Sequence, residues 1–319
     1  EIDLEACLGD LQKFKYFYVL SRPQAFIKDS SGRCLLDNIY DESLRFQEDV
    51  EKDLRERVFK CVEWLGHGFL SREENHLSEK DLDSIYHHSL ILLYRILFVL
   101  NAEARDLLPT NPLTKYYKHY GLQRIKDRAR QAKGEFINAK TVLYDELLTL
   151  FHLVNGSDEK LNKDMNIPRY NGGLFDPEKY KFLEKKKVGD DVISEIIYEL
   201  SYRTYNGDIH SIDYKGLGER HLGTVYEGLL EHRFSFDKGK VVLKNDKGER
   251  KAIGAYYTPD YIVKYIVENT LTPILKEIDE RIRKENKGVK DNSFAKEVLK
   301  LNICDPAMGS GHFLVETVQ

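Results

Sequence analysis

Asp305-Pro306-Ala307-Met308-Gly309-Ser310-Gly311-His312-Phe313-Leu314, entered from the short apolar run Leu301-Asn302-Ile303-Cys304, says more about this chain than any other segment. An apolar run that ends in an acid and a glycine pair and then re-enters helix predicts one strand–loop–helix unit of a doubly wound sheet. The loop of such a unit presents backbone to an adenosyl-type ligand. Asp305 can accept from a cationic amine, and Gly309 and Gly311 let the chain pass where a Cβ would collide. A dinucleotide fingerprint is disfavoured, because Leu314 stands where its third glycine belongs. No Gly-Lys-Ser/Thr phosphate loop occurs, and Ser310 has glycine on both sides instead of the Gly-x-Ser-x-Gly spacing of a nucleophile elbow. On these residues alone, an ordinary strand-to-helix turn stays open.

Upstream lies Gly254-Ala255-Tyr256-Tyr257-Thr258-Pro259. Thr258 suits an N-cap, Pro259 the first helical position, and Asp260 the positive end of a helix dipole. Ile262, Tyr265, Ile266 and Asn269 then recur at helical spacing. The Thr258 hydroxyl and the free N–H groups of that first turn would suit a carboxylate. Plain capping explains Thr258 and Pro259 equally well, but not the aromatic pair before them.

Together, Tyr257-Thr258-Pro259 and Asp305 to Leu314 resemble motifs X and I of N6-adenine DNA methyltransferases, in the subclass where motif X comes first. Two further stretches resemble the long single-chain methylases of type IIG restriction–modification enzymes and related phage-exclusion systems. One runs from Ser211-Ile212-Asp213-Tyr214-Lys215-Gly216-Leu217-Gly218 to His221-Leu222-Gly223-Thr224-Val225-Tyr226-Glu227-Gly228-Leu229-Leu230; the other is Tyr170-Asn171-Gly172-Gly173-Leu174-Phe175. The resemblance covers residues 40 to 319 and is closest in the last third. It implies S-adenosylmethionine as cofactor, double-stranded DNA as partner, and transfer of a methyl group to a flipped adenine. It places Asp305 at the methionine amine, Gly309 and Gly311 at the backbone approach, Thr258 at the methionine end, and Tyr257 and Phe313 as walls. Tyr256, Pro259, Pro306, Ala307, Met308 and Ser310 complete the expected cofactor site. The implied fold is a mainly α-helical N-terminal region followed by the start of an α/β Rossmann-like methyltransferase domain, here truncated.

The catalytic motif IV, an Asn or Asp followed by two prolines and an aromatic, is missing; Asn111-Pro112-Leu113 lacks the second proline and the aromatic. The ribose-binding acid should fall about 20 residues beyond the glycine loop, and the sequence stops at Gln319. The chain also begins at Glu1 without a methionine. It therefore reads as a fragment that does not methylate alone, with no catalytic residue of its own. The alternative is a non-catalytic helical scaffold or DNA-clamping module serving a catalytic partner. Mg²⁺ enters only if a nuclease domain lies upstream.

The 319 residues are 41% hydrophobic and 32% charged, with a net charge of −4, so any DNA contact must come from local patches. One such patch holds Lys115, Lys118, Arg124, Lys126, Arg128, Arg130 and Lys133, interleaved with Tyr116, Tyr117 and Tyr120. A solvated helix face is the competing reading. Cys7, Cys34, Cys61 and Cys304 are scattered without Cys-x-x-Cys spacing, which favours a reducing cytoplasm and no structural metal. The apolar run 90–100 is interrupted by Tyr94 and Arg95, pointing to a buried helix and not a membrane span.

A helical domain is expected over 1–155, a connector with a small β-hairpin over 156–247, and the start of the methyltransferase domain over 248–319. Val50, Leu54, Val58, Val62 and Leu65 mark one helical stripe. Ser78 opens a cap before a helix from about Lys80 to Leu107; further helices span Thr141–Val154, with Asn155-Gly156 as stop, and Val192–Leu200. Leu222 to Leu230 predicts another helix, and Lys238-Gly239-Lys240 the turn of a hairpin. Glu184-Lys185-Lys186 and Glu285-Asn286-Lys287 match a nuclease tripeptide at the level expected by chance, and His87-His88 cannot ligate jointly from one helix face.

Overall fold

The computed structural model describes residues 9–131, 140–170, 173–205, 207–217, 223, 228–230, 232–237, 239–245, 258–285, 292–308 and 311–318. The chain divides into two compact units, Glu1–Leu217 and Gly218–Gln319.

The first unit is helical: α1 (Leu11–Ser21), α2 (Leu35–Ser71), α3 (Leu82–Ala104), α4 (Lys115–His119), α5 (Leu122–Gln131), α6 (Val142–Asn155), α7 (Glu159–Met165), α8 (Lys181–Lys185) and α9 (Asp190–Ser201). On α2 the stripe Leu54, Val58, Val62 and Leu65 is buried as its spacing predicts, extended by Cys61 and Phe69. It faces α3 and α9, and α9 also packs on α5 and α6. The Val50 side chain lies outside the described set. The segment Glu79–Ala104 is long and apolar enough to cross a membrane, yet 72% of its most apolar window is buried inside the protein. Its apolar surface is thus taken up by neighbouring helices.

Within that segment Arg95 has no exposed surface. Its Nε donates to the Leu174 carbonyl at 2.8 Å. The guanidinium lies 5.5, 5.8 and 5.4 Å from the ring centroids of Phe151, Phe175 and Tyr180. Cation–π attraction of this kind is strongest where water is excluded.

Some helix ends follow local chemistry and others are capped from distant residues. Backbone N and Oγ of Ser78 both donate to Asp81 Oδ2, at 2.9 and 3.0 Å, before a short 3₁₀ turn leads into α3. Helix α6 stops at Gly156, whose φ of 74° only glycine adopts without strain. At the other end of α6, Thr141 makes no side-chain cap. Asp190 caps it from α9 instead, its Oδ1 accepting from the Leu143 N–H at 2.8 Å.

Polar locks tie the late chain to the early chain. Arg57 Nη1 donates to Glu199 Oε2 at 2.9 Å and to the Tyr202 carbonyl at 3.1 Å, while Nε reaches Asp53 at 2.8 Å. Buried Asn75 donates from Nδ2 to the carbonyls of Phe69 and Lys187, both at 2.8 Å, and accepts from Lys187 N–H at 2.9 Å. Strands β1 (Tyr202–Tyr205) and β2 (Asp208–Ser211) form an antiparallel hairpin that the sequence reading did not anticipate. Its signal was Asn206-Gly207, the dipeptide preferred in two-residue hairpin loops; Gly207 has φ 87°.

In the second unit, β3 (His232–Asp237) and β4 (Lys240–Asn245) form the expected hairpin, with Asp237 opposite Lys240 and Gly239 at φ 81°. Helix α10 (Asp260–Glu285) packs against α11 (Ser293–Val298) and α12 (His312–Glu316). Pro273 lies inside α10, where its ring crowds the carbonyl of Asn269. The expected helix over Leu222–Leu230 falls mostly outside the described residues; 228–230 are helical and Leu229 is buried.

The run Leu301–Cys304 forms no β-ladder among the described residues, and Ile303 is exposed. A strand needs a neighbour to take its backbone hydrogen bonds, and the expected strand before Asp305 is here without regular secondary structure.

Asn75→Ala is expected to lower unfolding free energy by about 2–4 kcal/mol, because it leaves two carbonyls and one N–H unpaired in the core. The urea midpoint should fall with an unchanged slope. His88 gives a pH signature. Its Nδ1 lies 2.7 Å from the Ser84 carbonyl and its ring stacks on Phe182 at 4.2 Å. Burial, then the nearby His87 and Arg95 charges, holds its pKa below the ordinary 6.5. The unfolded chain therefore takes up the proton first. Stability is full above about pH 6.5 and falls as the pH drops below it. In His88→Phe, which keeps the stack, that acid-side decline should be shallower in urea titrations across pH 5–8.

Candidate functional site

The loop beginning at Asp305 is organised by its own side chain. Asp305 Oδ1 accepts from the Ala307 N–H at 2.9 Å, an Asx turn in which Pro306 occupies the position that offers no N–H. Oδ2 is shielded from water and has no hydrogen-bond partner among the described residues. Gly311 N–H then donates to the Met308 carbonyl at 2.8 Å, and the Gly311 carbonyl accepts from Val315 N–H at 2.9 Å to start α12. Gly311 has φ 84°, and a Cβ built on it meets nothing within 4 Å among the described residues. Glycine is thus demanded by backbone conformation. Met308 is exposed and Phe313 half-buried.

Thr258 is half-buried and Pro259 exposed. The Pro259 carbonyl accepts from Ile262 and Val263 N–H at 2.9 and 3.1 Å. Pro259 therefore supplies the first carbonyl of α10, one residue later than the Thr258 cap expected from sequence. Helices α10 and α12, which these two segments open, pack on each other within the second unit. Tyr256, Tyr257, Gly309 and Ser310 lie outside the described residues.

Asp305 Oδ2 is what the expected cofactor requires of this loop. A water-shielded carboxylate oxygen without a donor is costly, and an ammonium group is the natural partner for it. Together with the left-handed Gly311, the residues present fit the amino-acid end of S-adenosylmethionine.

The basic patch is largely satisfied from within. Lys115 Nζ lies 2.7 Å from Asp164, Arg128 Nη1 2.6 Å from Glu146, and Arg124 Nη2 3.9 Å from the same Glu146 oxygen. Arg130 packs over the Tyr202 ring at 5.6 Å. Lys126 is pulled down in pKa by burial, beside Glu103. Lys118 is exposed with no acid paired to it among the described residues; Lys133 lies outside them. Tyr116 is not free to stack on a base: it is 1% exposed, and its hydroxyl donates to Glu103 Oε1 at 2.8 Å. The same oxygen accepts from Leu122 N–H at 2.7 Å, so Glu103 caps α5 from α3. Burial raises the Glu103 carboxyl pKa, and these two hydrogen bonds oppose that rise.

Other stretches singled out by sequence are structural here. Ile212, Tyr214 and Leu217 are buried, with Tyr214 Oη donating to the Leu200 carbonyl at 2.7 Å and Arg105 Nη2 to the Leu217 carbonyl at 3.2 Å. Glu184 pairs with His152 at 3.0 Å, and Lys186 Nζ donates to the Asn75 carbonyl at 2.5 Å. Of Tyr170–Phe175, the described part anchors on Arg95 and on α3. An arginine inside an apolar helical run was the signal for that cluster, and sequence reading used it only to argue against a membrane span.

Over 271 residues the chain is 28% identical to a protein of Methanocaldococcus jannaschii named "Putative type II restriction enzyme and methyltransferase". Over 180 residues it is 29% identical to a type II restriction enzyme and methyltransferase of Escherichia coli. By sequence, it resembles restriction–methylation fusions. The matches cover 72% and 55% of this chain but only 20% and 16% of those two relatives. No family model and no solved structure matches the chain.

Because Lys115, Arg124 and Arg128 of the basic patch are paired with acids, the patch should bind a short non-specific DNA duplex weakly. The slope of log affinity against log salt should be about 1, equivalent to one phosphate contact. Glu146→Gln, which releases Arg124 and Arg128, should steepen that slope by roughly 1–2. Fluorescence anisotropy over a salt series reads both; a wild-type slope of about 5 would put the paired cations on DNA.

Proposed function

We propose that this chain is the helical and cofactor-entry portion of a site-specific DNA methyltransferase, within a restriction–modification or phage-defence protein. Its target is the N6 amine of a flipped adenine in duplex DNA, and its donor is S-adenosylmethionine. The relatives' names support the restriction and methylation context. The observation that carries the cofactor reading is that Asp305 Oδ2 has no hydrogen-bond partner among the described residues, in a loop whose Gly311 has φ 84°.

When bound, S-adenosylmethionine supplies an electrophilic methyl group on a sulfonium. Asp305 Oδ2 would hold its ammonium, with the Oδ1–Ala307 bond keeping the carboxylate in place. The Thr258 hydroxyl and the N–H groups opening α10 would hold its carboxylate. Gly309 and Gly311 would allow close backbone approach, with Tyr257 and Phe313 as walls. In the intact enzyme a Rossmann-like sheet would pair the run Leu301–Cys304, which carries the apolar side chains of such a strand. None of these residues orients the adenine amine; an Asn/Asp-Pro-Pro-aromatic motif does that, and this sequence has none.

The second reading, a non-catalytic helical scaffold, is favoured by the self-contained packing of the first unit. A reading frame continuing past Gln319 that lacks an Asn/Asp-Pro-Pro-Tyr/Phe string would support it. The direct test is calorimetric titration of S-adenosylhomocysteine into the protein extended through that motif. Asp305→Ala and Gly311→Ala should each weaken binding at least about tenfold. Unchanged affinity in Asp305→Ala would remove the site assignment.

A further inference from the structure

We draw no further inference here: the strongest candidate, the apolar and aromatic surface patch that α1 and the turn after it expose through Leu11, Phe14, Tyr16, Tyr18, Phe26 and Ile27, carries nothing because nothing in the structure shows what covers it.

Discussion

A guanidinium with no exposed surface, in the middle of the long apolar helix α3, sets the arrangement of the first unit. Removing that charge from water is expensive unless other groups replace hydration. Here the replacement is one carbonyl, Leu174, and the faces of Phe151, Phe175 and Tyr180. These partners come from α6 and from the segment preceding α8, so Arg95 can be buried only when both have closed over α3. Accommodating the charge therefore couples three stretches of chain far apart in sequence. It also explains why the described end of the Tyr170–Phe175 stretch lies against the core.

The remaining polar locks extend the same logic outward. Asn75 and Arg57 join α2 to residues beyond 186, Asp190 caps α6 from α9, and Glu103 caps α5 from α3. Each satisfies a helix end or loop carbonyl that local sequence leaves open. Their spread explains why the compact unit continues to Leu217, through helices placed in a connector by sequence boundaries alone. The same economy engages part of the basic patch, because Glu146 and Asp164 pair with Arg128 and Lys115.

The second unit is less complete in its own terms. Leu299, Ile303 and Val318 are exposed, and the run before Asp305 has no ladder among the described residues. An Asx turn and a left-handed glycine need only a few consecutive residues, so the loop's local geometry forms even without a ladder. In the proposed reading a sheet covers those apolar side chains and turns a preformed loop into a cofactor site.

Local rules read from the sequence alone were enough for the longer helices α2, α3, α6 and α9, the Ser78 cap, the Gly156 stop, the β3–β4 hairpin and the composition of the Asp305 loop. Periodicity, capping and turn chemistry act over a few residues and leave direct traces in the amino-acid order. The Asn206-Gly207 hairpin carried such a trace and went unread. Tertiary structure alone decided that Asp190 caps α6, that Tyr116 is buried on Glu103, and that Arg95 sits among aromatic rings. Each depends on which distant group meets a given polar atom after the helices pack, and the pairing of a charge or hydrogen bond across the core leaves no periodic mark along the chain.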